Sequence, residues 1–149
     1  MRIAALIAGL LLAAGPAAAQ EPKTVAAFKD WMVFVREING DTICYAATEA
    51  RQMSPQTVTH GGVFFMVASW KSGAAREQPS LMVGYNLKDS PAPTLQIDSR
   101  KWEMYVSENE AFIESAEAET SLIAAMKRGA NMRVSATSAR GTATSYVMS

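Results

Sequence analysis

Residues 30–47 read "DWMVFVREINGDTICYAA", and the reading of this stretch decides the fold. Trp31, Val33 and Val35 alternate with Met32, Phe34 and Arg36. An alternation of period two is the signature of a β-strand. Asn39-Gly40 interrupts it, and both residues tolerate the positive φ that a tight hairpin turn demands. The returning strand runs from about Thr42 to Thr48. A two-residue turn sets Ile38 opposite Asp41 and Val35 opposite Cys44. Cys44 then shares a face with Trp31, Val33 and Ala46.

That register makes Cys44 a small buried hydrophobe beside an indole. It is the only cysteine of the chain, so no intramolecular disulfide is possible. Two alternatives stay open: a disulfide to another molecule and a reactive thiol. A reactive thiolate needs a base or a cation beside it, and the sequence offers no evident candidate.

The same period continues outward. "GVFFMVASW", residues 62–70, is apolar on both parities and suits a central strand. "LMVGYNL", residues 81–87, reads as a strand whose Gly84 marks a bulge or a close backbone approach. "TLQID" and "KWEMYV" flank a turn at Ser99-Arg100, and "AFIES" is a further short candidate. Met132, Val134 and Ala136 alternate before a turn at residues 139–141, and Thr142 to Met148 runs back. One segment breaks the period. Leu122, Ile123, Ala125 and Met126 fall at helical spacing, with Thr120 or Ser121 to cap the start and Gly129 to end the helix. A short helix is expected over residues 121–128. Short strands with one helix and no long crossovers predict an antiparallel β-sandwich, with a small barrel as the other option.

The first nineteen residues stand apart. Arg2 precedes an apolar run from Ile3 to Ala14, Gly15-Pro16 breaks it, and Ala17-Ala18-Ala19 follows. This is the plan of a secretory signal peptide cleaved after Ala19. The run is too short to span a bilayer, which takes about 20 apolar residues. Residues 20–29 read as a linker, and residues 30–149 as a single sandwich domain. Removing Arg2 from 14 basic residues leaves 13 against 14 acidic ones. So balanced a chain has no basic stripe for nucleic acid and no polybasic patch for anionic lipid.

No motif points to turnover. His60 is the only histidine, and in "VTHGG" it reads as a strand-end or loop residue. Glu108, Glu110, Glu114, Glu117 and Glu119 lack the alternating aspartates and turn glycine of a calcium loop. They read as a solvated face leading into a helix N-terminus, where negative charge is favourable. The methionines are dispersed, unlike the clustered thioethers of a copper site. Neither cofactor nor metal is expected, and no catalytic, cofactor-binding or metal-ligating residue is assigned. Phe64, Phe65, Trp70, Tyr85, Trp102, Tyr105 and Phe112 fall at strand spacing, which favours a core over a ligand slot.

Taken in order, "FKDWMVFV", "CYAA", "VGYNL", "IDSRKWEMYV" and "LIAAMKRGANMRVSATSARGTATSYVMS" resemble the invasion-associated locus B family of exported bacterial proteins. The resemblance spans about residues 28–149, and its most specific part is "AAMKRG" followed by "SARGT". It implies an immunoglobulin-like sandwich and an exported protein linked by name to host-cell entry. It carries over no catalytic residue. Many members have additional cysteines, whereas Cys44 stands alone here. Members usually continue past the last strand with a Leu-x-Gly-Phe-like segment, whereas this chain reads "SYVMS". A terminal strand left uncovered there would accept a strand from another chain, a route to self-association. The expectation is a non-enzymatic, periplasmic or secreted binding protein whose partner is another envelope or surface protein. Its contact loops would be residues 71–80, 88–93 and 138–141. The alternative is a small apolar-ligand binder with a slot between the sheets, lined by Trp70, Tyr85 and Trp102.

Overall fold

The computed structural model describes residues 21–129 and 131–149, so the expected leader, residues 1–19, lies outside the described residues. Two antiparallel sheets face each other across one core, as the period predicts. The larger sheet contains β1 (Lys23–Phe28), β2 (Trp31–Ile38), β3 (Asp41–Glu49), β5 (Phe64–Trp70), β6 (Gln78–Met82), β9 (Tyr105–Ser107) and β10 (Glu110–Phe112). Its strand order is β1-β2-β3-β5-β6-β10-β9. The smaller sheet contains β4 (Gln52–Ser54), β7 (Thr94–Ile97), β8 (Arg100–Glu103), β11 (Met132–Thr137) and β12 (Ala143–Met148), in the order β4-β12-β11-β7-β8.

The hairpin register is the one the turn dictates. Asn39 and Gly40 take φ of 52° and 81°, and the pairs Ile38–Asp41 and Val35–Cys44 form. Asp41 then fastens the turn to the loop after β5. Its carboxylate accepts hydrogen bonds from the Thr42 amide at 2.8 Å and from the Ser72 amide and hydroxyl at 3.2 and 2.5 Å. The Ser72 hydroxyl is the main reason its acidity lies on the strong side of an ordinary aspartate.

Several boundaries differ from the sequence reading, among them "KWEMYV", read as one strand but divided between β8 in the smaller sheet and β9 in the larger. Residues 23–28, read as linker, form β1 and pair with β2. A bulge between Thr24 and Ala26 breaks this edge, a common way to discourage further pairing. The expected loop 71–80 ends early, because β6 already begins at Gln78. The helix α1 runs Ala116–Met126, five residues earlier than expected at its start. Ser115, not Thr120 or Ser121, is the cap, accepting from the Ala118 amide at 3.2 Å. The residues preceding Ser121 are mostly Ala and Glu, which favour helix without an apolar stripe and so left no period to see. Gly129 does close the helix end: its amide donates to the Ala125 carbonyl, and a Cβ there would lie 2.4 Å from Ile97.

The core comes from both sheets and the helix. Phe65, Leu81, Leu95, Leu122, Val134, Tyr146 and Met148 are fully buried. Gly84 marks a close approach, as its place predicts, though β6 ends before it. A Cβ on Gly84 would lie 2.8 Å from Gly61 Cα and 2.9 Å from the His60 carbonyl oxygen. On the other flank, the Trp31 indole N–H donates to the Ser149 carbonyl at 3.2 Å, tying β2 to the residue after β12. Between Trp31 and Phe65 in the same row sits Thr48, 2% exposed, whose hydroxyl has no hydrogen-bond partner among the described residues. Replacing an unpaired buried hydroxyl with a methyl removes a desolvation cost. Thr48→Val is therefore expected to raise stability by about 1 kcal/mol, read as a higher urea midpoint at unchanged slope.

Candidate functional site

His60 is held in the structure rather than presented. It is 8% exposed, and both ring nitrogens are engaged. Nε2 lies 2.8 Å from the Pro55 carbonyl oxygen, which can only accept, so Nε2 carries a proton. In the neutral ring Nδ1 then accepts from the Tyr146 hydroxyl at 3.0 Å. Tyr146 in turn accepts from the Tyr85 hydroxyl at 2.5 Å. Thr144 Oγ1 closes the chain, 2.8 Å from Tyr85 Oη and 3.2 Å from the Ala136 carbonyl. A general base needs a free lone pair within reach of substrate, and this imidazole has none to offer.

Burial pushes the Tyr146 phenol well above the ordinary tyrosine range. A folded-state value raised in this way favours the neutral phenol, so its contribution is complete below the unfolded value near 10 and is lost as pH rises beyond it. Tyr146→Phe leaves His60 Nδ1 buried without a donor and is expected to cost about 1–3 kcal/mol at neutral pH. The same variant should show a shallower loss of melting temperature than the parent between pH 10 and 12.

Cys44 corrects the sequence reading. Its register is as expected, but the thiol is exposed. Burial falls away along the inner face of β3, from Thr48 at 2% through half-buried Ala46 to open Cys44. Its neighbours in the row, Val35 and Ser69, are only partly covered. The well-covered part of the inner face therefore stops short of this row, and facing inward there is not the same as being buried. Cys44 should be titrated completely by a thiol-reactive disulfide in native buffer, at the rate seen in denaturant within about an order of magnitude.

Trp70, Tyr85 and Trp102 do not converge on a slot. Trp102 is core, with the Arg100 guanidinium 5.0 Å from its ring centroid and reaching Ser121 Oγ on α1. Tyr85 belongs to the His60 chain. Trp70 has the outward parity of β5, opposite to buried Phe65.

That outward parity is the larger finding. Across β2, β3 and β5 the outer face carries Met32–Ala47–Met66 in one row and Phe34–Tyr45–Ala68 in the next. Arg36–Ile43–Trp70 forms a third. Phe34 and Tyr45 stack with centroids 5.1 Å apart. Further along the sheet Tyr105 and Phe112 stack at 5.6 Å. A contiguous apolar sheet face of this kind marks an interaction surface more often than it marks nothing.

A second feature lies between the sheets. A cleft of about 520 Å³ opens beneath the C-terminal end of α1. Trp31, Val67, Ile97, Ile123, Met126 and Met132 form its walls, so both sheets and the helix contribute. Lys29, Glu77, Lys127 and Asn131 also line it. The cleft lies at the Met132 end of β11, whereas the His60 chain meets β11 at Ala136. Period reading missed it because Trp31 and Val67 look like core residues, and only the absence of an opposing side chain distinguishes a cleft wall from a core.

Among the described residues, no group of three or more His, Cys, Asp or Glu side chains is placed to hold a metal, and no helix is long and apolar enough to cross a membrane. The fold and its surfaces define a two-sheet β protein with a largely apolar outer face and a cleft between the sheets. The model of the invasion associated locus B (IalB) protein family matches residues 31–149, and the chain belongs to that family. Comparison with curated proteins and with solved structures gave no significant match.

Proposed function

We propose that this protein is exported to the bacterial envelope, periplasmic or secreted, and works there by binding rather than by turnover. Its partner is another envelope or surface protein, seated on the outer face of the larger sheet. The observation that carries this reading is the largely apolar outer face over β2, β3 and β5, in whose three rows Arg36 is the one charged residue. Leaving such a surface in water is costly, at roughly 25 cal/mol for each Å² of apolar area. Membership of the invasion associated locus B family and the leader-like residues 1–19 support the address. Contact with a host cell is one setting in which such a partner would be met, and the family's name is its support.

A photo-crosslinking residue in place of Phe34 in the native envelope tests the reading, with one at Lys101 as control. The expected result is one adduct of fixed mass from position 34, none from 101, and its loss when Met32→Lys is added. Equal yields from both positions, or no adduct at 34, would remove the outer face as the binding surface.

The inter-sheet cleft favours a second reading, a binder of a small apolar ligand. Ligand sites commonly enclose about 300–1,000 Å³ with apolar walls and few polar groups, and this cleft has that size and that lining.

A further inference from the structure

The walls and the polar groups of the cleft together describe a ligand. The walls present a thioether pair, Met126 and Met132, with branched aliphatic Val67, Ile97 and Ile123. Among the six apolar wall residues only Trp31 can donate, and its indole N–H is already committed to the Ser149 carbonyl. The part of a ligand that lies against these six residues finds no free donor, so that part must be apolar. Methionines are unbranched and polarizable, so they adapt to the shape of a flexible chain.

The charged side chains add a sign. Lys127 and Glu77 are paired at 3.3 Å and neutralise each other. Lys29 occupies the β1–β2 turn with φ of 55° and makes no ion pair among the described residues. The side chains lining the cleft therefore carry one uncompensated positive charge. We propose that the cleft binds a single aliphatic chain ending in an acidic group, with the chain against Val67, Ile123, Met126 and Met132 and the acid at Lys29. A free fatty acid and a lysophospholipid, whose acid is the phosphate of its glycerol headgroup, share this chemistry. The assignment rests on the second reading given above.

The test uses the full chain and the neutral probe N-phenyl-1-naphthylamine, whose emission rises in apolar sites. Dodecanoate, dodecanol, dodecylamine and a twelve-carbon lysophospholipid are the competitors, each below its micellar concentration. The expected result is probe emission that Met126→Trp abolishes by filling the cleft. Dodecanoate should displace the probe at lower concentration than dodecanol, and dodecylamine least well. Lys29→Asn keeps a residue that accepts positive φ and should weaken dodecanoate about fivefold while leaving dodecanol unchanged. Lysophospholipid displacing better than dodecanoate supports the proposal and identifies a membrane source; the reverse supports it and identifies a free acid. Probe bound in the cleft but displaced equally by dodecanoate and dodecanol overturns the acidic chain and leaves the cleft as a site. Emission that is absent, or unchanged in a folded Met126→Trp, overturns both. If Met126→Trp does not fold, Lys29→Asn decides alone, and unchanged dodecanoate affinity refutes the assignment.

Discussion

The left-handed φ angles at Asn39 and Gly40 fix which residue of β2 stands opposite which residue of β3, from Trp31–Thr48 to Ile38–Asp41. A slip of one residue in that hairpin would exchange the two faces of β2 or β3. Trp31 would leave its hydrogen bond with Ser149, and the alignment of Thr48 with Phe65 would be lost. The same turn delivers Asp41 to Ser72, so the register of β2–β3 and the path of the chain after β5 are set together. The cleft inherits this arrangement, since its Trp31 and Val67 walls come from strands aligned through β3.

The hairpin needs outside enforcement because its own apolar pattern does not choose a side. Strands with one polar face choose their orientation by burial. β5, and β2 as far as Val35, are apolar on both faces, so either face would satisfy a core. Turn geometry at one end, with the Asp41 fastening, decides what the hydrophobic effect leaves open. The surface left over is then an apolar sheet rather than a polar one, and this is the origin of the candidate interaction face.

Much of the framework was legible for local reasons. The β2–β3 pairing, the strands β5 and β7, the β11–β12 return and the close approach at Gly84 all follow from period two and turn chemistry, whereas the switch of sheet between β8 and β9 does not. What failed depended on non-local facts. Cys44 has the parity of the core, but its exposure depends on how far cover over the inner face extends. "KTVAAF" has too few strongly apolar residues to announce a strand, and it acquires one by adding to an existing edge. The aromatic slot failed because parity sends Trp70 outward and Trp102 inward. The His60 chain was invisible because its members are spread from Pro55 to Tyr146, and nothing in their spacing brings them together.

The place of β12 in the smaller sheet has a consequence for the order of assembly. It lies between β4 and β11, and it supplies Tyr146 and Met148 to the core. Its pairing with β4 joins residues about ninety positions apart, a contact that closes a long loop before it gives anything back. A chain emerging amino end first can form the β2–β3 hairpin early. Its smaller sheet can pair β7 with β8 and β11 beforehand, but β4 has no partner until β12 arrives. Completion of the smaller sheet thus waits on β12, because β4 joins the rest of that sheet through it.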